Sequence, residues 1–397
     1  MNKRFLTCLG FCAVVVLAAS CSGPSRQGTA ASPAAEEPLD VQVELRRLKS
    51  DDWRTRMSAA FGLGDGGPPV VPALIRASKD EVAEVRQAAI ATLSNIRPAR
   101  QEAVDALITA LKDANNDCRE TAAWGLFMIG PPAGSAVPAL IDIVEKDDVQ
   151  GIRAQAAAAL GGIGHAAAPV VPRLIRALKT SKSDMVRHNL TWALGEIRSP
   201  REKIVPVLLE LLKNDASEDV QEHAATALSR VRPLSPLVVP ALVEAMKSGK
   251  GGGAAEEGLA SIGERSVDLV VKALADRRAR VREDAATILG AIRPAPESAI
   301  EPLVTLLGDE NDDVRVSAIT ALAAIGKSCA SAAPALAKAL THAQTAVREG
   351  AAEALGELGS AARAAVPALE RATRDKDPGV RDAVREALRS IRAKPPQ

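Results

Sequence analysis

Four histidines, His165, His188, His223 and His342, and two cysteines of the body, Cys118 and Cys329, are the side chains best able to ligate a metal or act as a nucleophile. They are dispersed along the chain, with no HExxH and no Cys–His cluster at zinc-site spacing. The Asp/Asn-rich stretches from Asp113 to Asp117 and Asp309 to Asp313 lack the glycine and distal Glu of a calcium loop and fit helix capping instead. No Ser, Thr or Cys lies in a nucleophile motif. The Gly-rich run from Lys247 to Gly253 lacks the strand and spacing of a phosphate-cradling loop. The sequence therefore predicts no catalytic site, metal, cofactor or small-molecule substrate. Recognition remains. Its candidates are a sparse aromatic set, Phe61, Trp124, Phe127 and Trp192 with His188, and an acidic set, Glu257, Glu283, Glu349, Glu353, Asp382 and Glu386.

Both sets are placed by a repeated helical hairpin. The unit is clear from Val171 to Ile197: a first helix opens on Val-Pro, a polar turn follows, and a second helix opens on an apolar residue and Arg and closes on Ala-Leu-Gly. Aligned on that opening position, the chain reads Arg56, Arg86, Arg119, Arg153, Arg187, Gln221, Gly252, Arg282, Arg315, Arg348 and Arg381, with a Leu seven residues after each. Eleven units spaced 30 to 34 residues apart define a solenoid, in which each hairpin buries its face only against its neighbours. Composition agrees: 47% hydrophobic but 2% aromatic, Ala-rich, and without Tyr, as thin helical cores require. One Arg per repeat predicts an Arg–carboxylate ladder along Arg56, Arg86, Arg119, Arg153, Arg187, Arg282, Arg315, Arg348 and Arg381. Prolines such as Pro72, Pro138 and Pro206 mark first-helix starts, where a missing N–H costs nothing. Asp117, Asp219 and Asp313 are expected as N-caps of second helices. The seventh unit, near 235–265, loses its opening Arg, and its second helix should be short.

The units resemble HEAT repeats, in particular the short form named after phycobilisome lyases, through Val-Pro-Ala-Leu, the Val-Arg pair and Ala-Leu-Gly. The aromatic core positions of tetratricopeptide repeats and the turn motif of ankyrin repeats are absent. The resemblance implies an all-α, right-handed solenoid over 40–393, about 100 Å long at roughly 9 Å per packed helix, with the second helices lining its concave face. Bilin lyase subunits share such repeats, but an exported protein does not meet chromophores in the cytosol. Deoxyhypusine hydroxylases need paired His-Glu motifs, and HEAT-like DNA glycosylases need a basic groove. None of these is met here, and the formal net charge of +1 gives no case for nucleic acid.

The N-terminus carries Asn2-Lys3-Arg4, an apolar run to Ala19, and Leu17-Ala18-Ala19-Ser20-Cys21. This resembles a bacterial lipoprotein signal (residues 1–20), in which Cys21 is lipidated; Ala18 stands where the family usually has Leu. Residues 22 to 38 read as a disordered tether, and 394–397 as a tail. The expected location is a bacterial membrane, on its periplasmic or cell-surface side, held by a lipid anchor only. Cys118 and Cys329 fall six repeats apart, too far to bridge.

Five positions after the opening residue, a side chain points almost directly away from the hairpin core. That column holds Phe61, Trp124 and Trp192, then Glu257, Glu353 and Glu386. The expected function is a non-catalytic scaffold binding a protein or peptide, its partner segment basic or amphipathic. The alternative is a structural spacer or assembly subunit; a bilin-lyase-like enzyme is more distant.

Overall fold

A computed structural model of the protein describes residues 40–198 and 200–393. The signal segment, Cys21 and the tether, within 1–39, and the tail at 394–397, lie outside the described residues. Among the described residues there is no strand, and eleven hairpins follow one another. Repeat 1 pairs α1 (Val41–Arg47) with α2 (Trp53–Gly62), repeat 2 α3 (Val71–Ala77) with α4 (Ala83–Asn95), and repeat 3 α5 (Gln101–Ala110) with α6 (Asn116–Ile129). Repeats 4 to 6 pair α7 (Val137–Lys146) with α8 (Gln150–Ile163), α9 (Val171–Thr180) with α10 (Asp184–Ile197), and α11 (Arg201–Asn214) with α12 (Glu218–Arg230). Repeats 7 and 8 are α13 (Val238–Ser248) with α14 (Ala254–Ile262), and α15 (Glu264–Ala273) with α16 (Ala279–Ala291). The last three are α17 (Ile300–Leu306) with α18 (Asp312–Ile325), α19 (Ala333–Ala339) with α20 (Thr345–Leu358), and α21 (Val366–Ala372) with α22 (Pro378–Arg392). The chain is an all-α solenoid. The Leu seven residues into each second helix is buried in every repeat, from Leu63 to Leu388.

The opening arginine spans two turns. In repeat 8, Arg282 Nη1 donates to the Asp276 carbonyl of its own turn at 2.9 Å. Its Nε and Nη2 donate to the Asp309 carboxylate of the next turn, both at 2.8 Å. Asp309 also accepts the Asn311 N–H at 2.9 Å, so the carboxylate organises its own turn. The same fork joins Arg56 to Asp80, Arg86 to Asp113, Arg119 to Asp147, Arg187 to Asp215, and Arg348 to Asp375. Each Asp lies six residues before the next opening position.

Where that residue is not Asp, the fork is missing. Ser181 fills the place facing Arg153, whose Nε instead donates to the Val144 carbonyl at 2.8 Å. His342 faces Arg315, which bonds Asp312 in its own helix and leaves Nε buried without a partner. Arg381, in the last described repeat, caps the Asp375 and Lys376 carbonyls at 2.7 and 3.0 Å. For these three the expected ladder does not form.

Two further expectations are corrected. Asn115 and Asn311 cap α6 and α18, accepting the N–H groups of Asp117 and Cys118, and of Asp313 and Val314; the second helices start earlier than Asp117 and Asp313 imply. Asp219 likewise lies inside α12, after Ser217. Pro206 sits within α11, which extends back to Arg201.

Second helices of successive repeats pack on one another far more closely than first helices do. The glycine of Ala-Leu-Gly permits it. A Cβ on Gly290 would fall 2.8 Å from Ala321 Cα, one on Gly161 2.8 Å from Ala193 Cα, and one on Gly195 2.7 Å from Ala227 Cβ. The second helices thus form one continuous, closely packed face of the stack. In repeat 7, Gly249, Gly251 and Gly252 take positive φ of 73°, 75° and 50°, and α14 is only 9 residues long. With Gln221 and Gly252 in place of arginines, the tie reverses: Lys250 Nζ reaches back to the Lys213 carbonyl, and Arg278 to Lys247 O at 2.7 Å.

Replacing Gly290 by Ala should destabilise the protein by about 1–3 kcal/mol, because the clash is with backbone. Gly64→Ala, which meets nothing within 4 Å, should change little. Urea unfolding of the two variants checks this. The Arg86, Arg282 and Arg348 forks hold Asp113, Asp309 and Asp375 below the usual carboxylate range. For Asp80, Asp147 and Asp215 burial pushes upward, but the fork and a backbone N–H more than offset it. The folded pKa values are depressed, so their stabilisation is present above the unfolded value near 4 and is lost as pH falls through the folded values. Melting temperature should drop steeply below about pH 4, and less so in Arg282→Gln, which itself should cost about 1–2 kcal/mol at pH 7.

Candidate functional site

The outward column on the second helices is only partly open. Phe61 is 41% exposed, whereas Trp124 and Trp192 are half-buried and Ala158, between them, is buried. Trp192 of repeat 5 and Phe127 of repeat 3 meet across repeat 4, their ring centroids 5.9 Å apart at 57°. The doubled glycine of repeat 4 makes the room: a Cβ on Gly161 would lie 2.5 Å from Trp192 Cζ3, and one on Gly162 2.9 Å from Phe127 Cδ2. Part of each ring is thus spent on joining repeats, and part remains at the surface beside Met128, 42% exposed. Trp124 keeps its indole Nε1 buried with no hydrogen-bond acceptor among the described residues.

The histidines are not all separate. His188 and His223, on adjacent second helices, bring their ring centroids within 4.0 Å at a tilt of 51°. His223 Nδ1 lies 2.9 Å from the Asp219 carbonyl; a carbonyl only accepts, so Nδ1 carries the proton. Burial, and then the neighbouring His223, push His188 down to about 4, so it is neutral at pH 7 and continues the apolar strip one turn from Trp192. Sequence reading missed this pair because the two residues occupy different positions in their repeats. The signal available for the ring pair was the second glycine in Leu160-Gly161-Gly162.

The acidic set divides likewise. Glu257, Glu353, Asp382 and Glu386 are exposed, while Glu283 and Glu349 are half-buried. Glu283 is raised by burial and by the Asp313 charge. Glu349 leans onto the next repeat, where a Cβ on Gly379 would fall 2.8 Å from its Oε1; the carboxylate thus lies at the N-terminal turn of α22, where the helix dipole favours it. Asp382 pairs with Arg385 in its own helix. A pair absent from the sequence expectations, Glu256 and Asp284, has buried unbonded oxygens, and burial raises both carboxyls. Cys118 and Cys329 are buried, their thiols pushed up to about 11 by burial. Among the described residues no group of three or more His, Cys, Asp or Glu could hold a metal.

A helical solenoid with a continuous second-helix face is the class of protein these observations define. Family comparison agrees: models described as HEAT repeats match residues 43–126, 96–161, 137–229, 171–260, 252–323 and 300–389. The chain belongs to the HEAT-repeat family. No curated protein matches it. Among solved structures it is similar to the karyopherin Kap121p bound to Nup53p, with TM-score 0.61 and 16% identity over 88% of this chain and 45% of that one. It is also similar to Kap121p bound to the SUMO protease Ulp1p, with TM-score 0.60 and 16% identity over the same shares. The chain spans a little under half the length of those proteins, and at this identity the likeness is one of fold.

Because His188 is lowered on folding, the unfolded chain binds its proton first; stability is full above about pH 6.5 and falls as pH drops toward about 4. His188→Asn should flatten the loss between about pH 6.5 and 5. A His188 ring NMR signal titrating near 6.5 would refute the burial argument.

Proposed function

We propose that the protein is a non-catalytic scaffold that holds a protein or peptide against the inner face of its second helices. The observation that carries this reading is the half-open apolar strip of Trp124, Phe127, Met128, His188 and Trp192, a surface with binding-anchor chemistry on an otherwise polar stack. The exposed carboxylates further along, Glu353 and Glu386, favour a partner segment with basic or amphipathic character. Karyopherin solenoids bound to Nup53p or Ulp1p lend support by analogy of fold. We place the scaffold at a bacterial envelope, exported by its leader and tethered through a lipid on Cys21, on the strength of the Leu17–Cys21 motif.

The test is affinity capture from envelope extracts. Wild type is compared with Met128→Ser/Trp192→Ala, and circular dichroism and melting verify that the variant folds. A protein retained by wild type and reduced at least about tenfold by the folded variant supports the groove. Equal capture, or none, moves the reading to a structural spacer. In the same cells Cys21→Ser should shift the protein from the membrane to the soluble fraction; an unchanged distribution removes the anchor.

A further inference from the structure

A cavity of about 450 Å³ opens where repeats 5, 6 and 7 meet, beside the last turns of α10 and α12 and along the short α14. Arg198, Arg230 and Arg232 line it, together with the hydroxyl-bearing Thr226, Ser229 and Ser261 and one carboxylate, Glu257. Two of its arginines differ from their counterparts in other repeats.

The first concerns Arg232. Three breaks between repeats use the same Arg-Pro device with a cis bond, at Arg97, Arg232 and Arg293. In each, Nη1 donates to the carbonyls one and three residues back. Arg97 and Arg293 then spend Nη2 on the next repeat, on Met128 O at 3.2 Å and Ala324 O at 3.4 Å. Arg232 makes no such bond among the described residues: the next second helix is the short α14, and the guanidinium edge is left for the cavity.

The second concerns Arg198. The residue eleven after the opening position is glycine in six repeats, at Gly67, Gly130, Gly164, Gly263, Gly326 and Gly359, with φ between 57° and 73°. Arg198 occupies the same position with φ 60°, and it is the one non-glycine residue with positive φ among the described residues. Arg198 thus holds a left-handed conformation that glycine would adopt without strain, and its side chain lines the cavity. Glu196 lies 3.1 Å from Arg230 Nη1 and 3.5 Å from Arg198 Nη2, so two of the guanidiniums share one carboxylate while Arg232 has none. Three cations against Glu196 and Glu257 leave one positive charge.

We propose that this cavity is an oxyanion site that seats a single carboxylate, an Asp, Glu or C-terminal carboxylate of the bound chain, through the open edge of Arg232 with Arg198 and Arg230 beside it. The assignment rests on the peptide-binding reading for the source of the carboxylate, but not for the site itself. The fork geometry of a guanidinium matches a carboxylate or phosphate in two parallel hydrogen bonds.

The test uses small probes on the full protein. Inorganic phosphate is titrated against chloride at constant ionic strength, following the arginine side-chain N–H signals by NMR. Wild type should give a saturable shift. Arg232→Gln should weaken it by at least about tenfold. Arg293→Gln, which removes the equivalent cap elsewhere, should leave it unchanged. Arg198→Gly should weaken phosphate binding yet raise the melting temperature. Non-saturable shifts, or equal weakening in Arg293→Gln, would overturn the site. For the source, Ac-Ala-Glu-Ala-amide should compete with phosphate and Ac-Ala-Gln-Ala-amide should not; phosphate binding without competition from the Glu peptide would overturn the carboxylate assignment. No partner is needed, so a failed site and a failed scaffold reading separate: phosphate can bind where capture fails, and capture can succeed where phosphate does not.

Discussion

One guanidinium that must touch two turns at once is the constraint on which the register of this solenoid depends. Burial supplies most of the stability: each fully buried Leu, Ile or Val contributes about 1.5–3 kcal/mol, and every repeat buries several. A partly solvated fork contributes about 1 kcal/mol. Apolar contact between Ala-rich helices is tolerant of sliding, however, whereas the bidentate Arg–Asp geometry is not. Packing therefore makes the repeats adhere, and the fork selects how they sit.

Departures from this rule gather in the middle of the chain. The joints after Gln221 and Gly252 both lack the fork, as do those after Arg153 and Arg315, and around the first two lie the short α14, the reversed Lys250 tie and the arginine-lined cavity. A joint released from the common geometry is free to space its helices differently, and here that freedom is used to open a surface. The aromatic strip follows similar logic on a smaller scale, since it exists only because repeat 4 gives up two side chains at Gly161 and Gly162.

The architecture was legible in the sequence because a thin repeated core leaves a periodic trace: the opening Arg, the Leu seven residues on, and the interrupted seventh unit all appear in the structure as hairpins with a short α14. The ladder was half legible. Its arginines stood out, but its acceptors are Asp residues six positions before the next Arg, and only pairing the two columns tells Arg153 and Arg315 from their sisters. The candidate face was less legible. An ideal-helix projection puts Trp192 in open solvent, yet whether a ring is covered depends on the distance between repeats, which neighbouring glycines set. His188 and His223 sit at unequal positions of their repeats, so no single column could reveal their contact.

The fork also has a genealogical consequence. Each Asp belongs to one repeat and its Arg to the repeat before, so a unit carrying both can be duplicated or inserted between any matched neighbours with two satisfied joints. Repeats 2 and 3 differ in this respect from those around Gln221 and Gly252, which carry no opening arginine. Asp309 and Arg315 of repeat 9 show the intermediate case, matched behind and unmatched ahead. A unit with both residues thus meets a matched joint on either side near the N-terminal end, whereas the middle repeats offer its fork no partner.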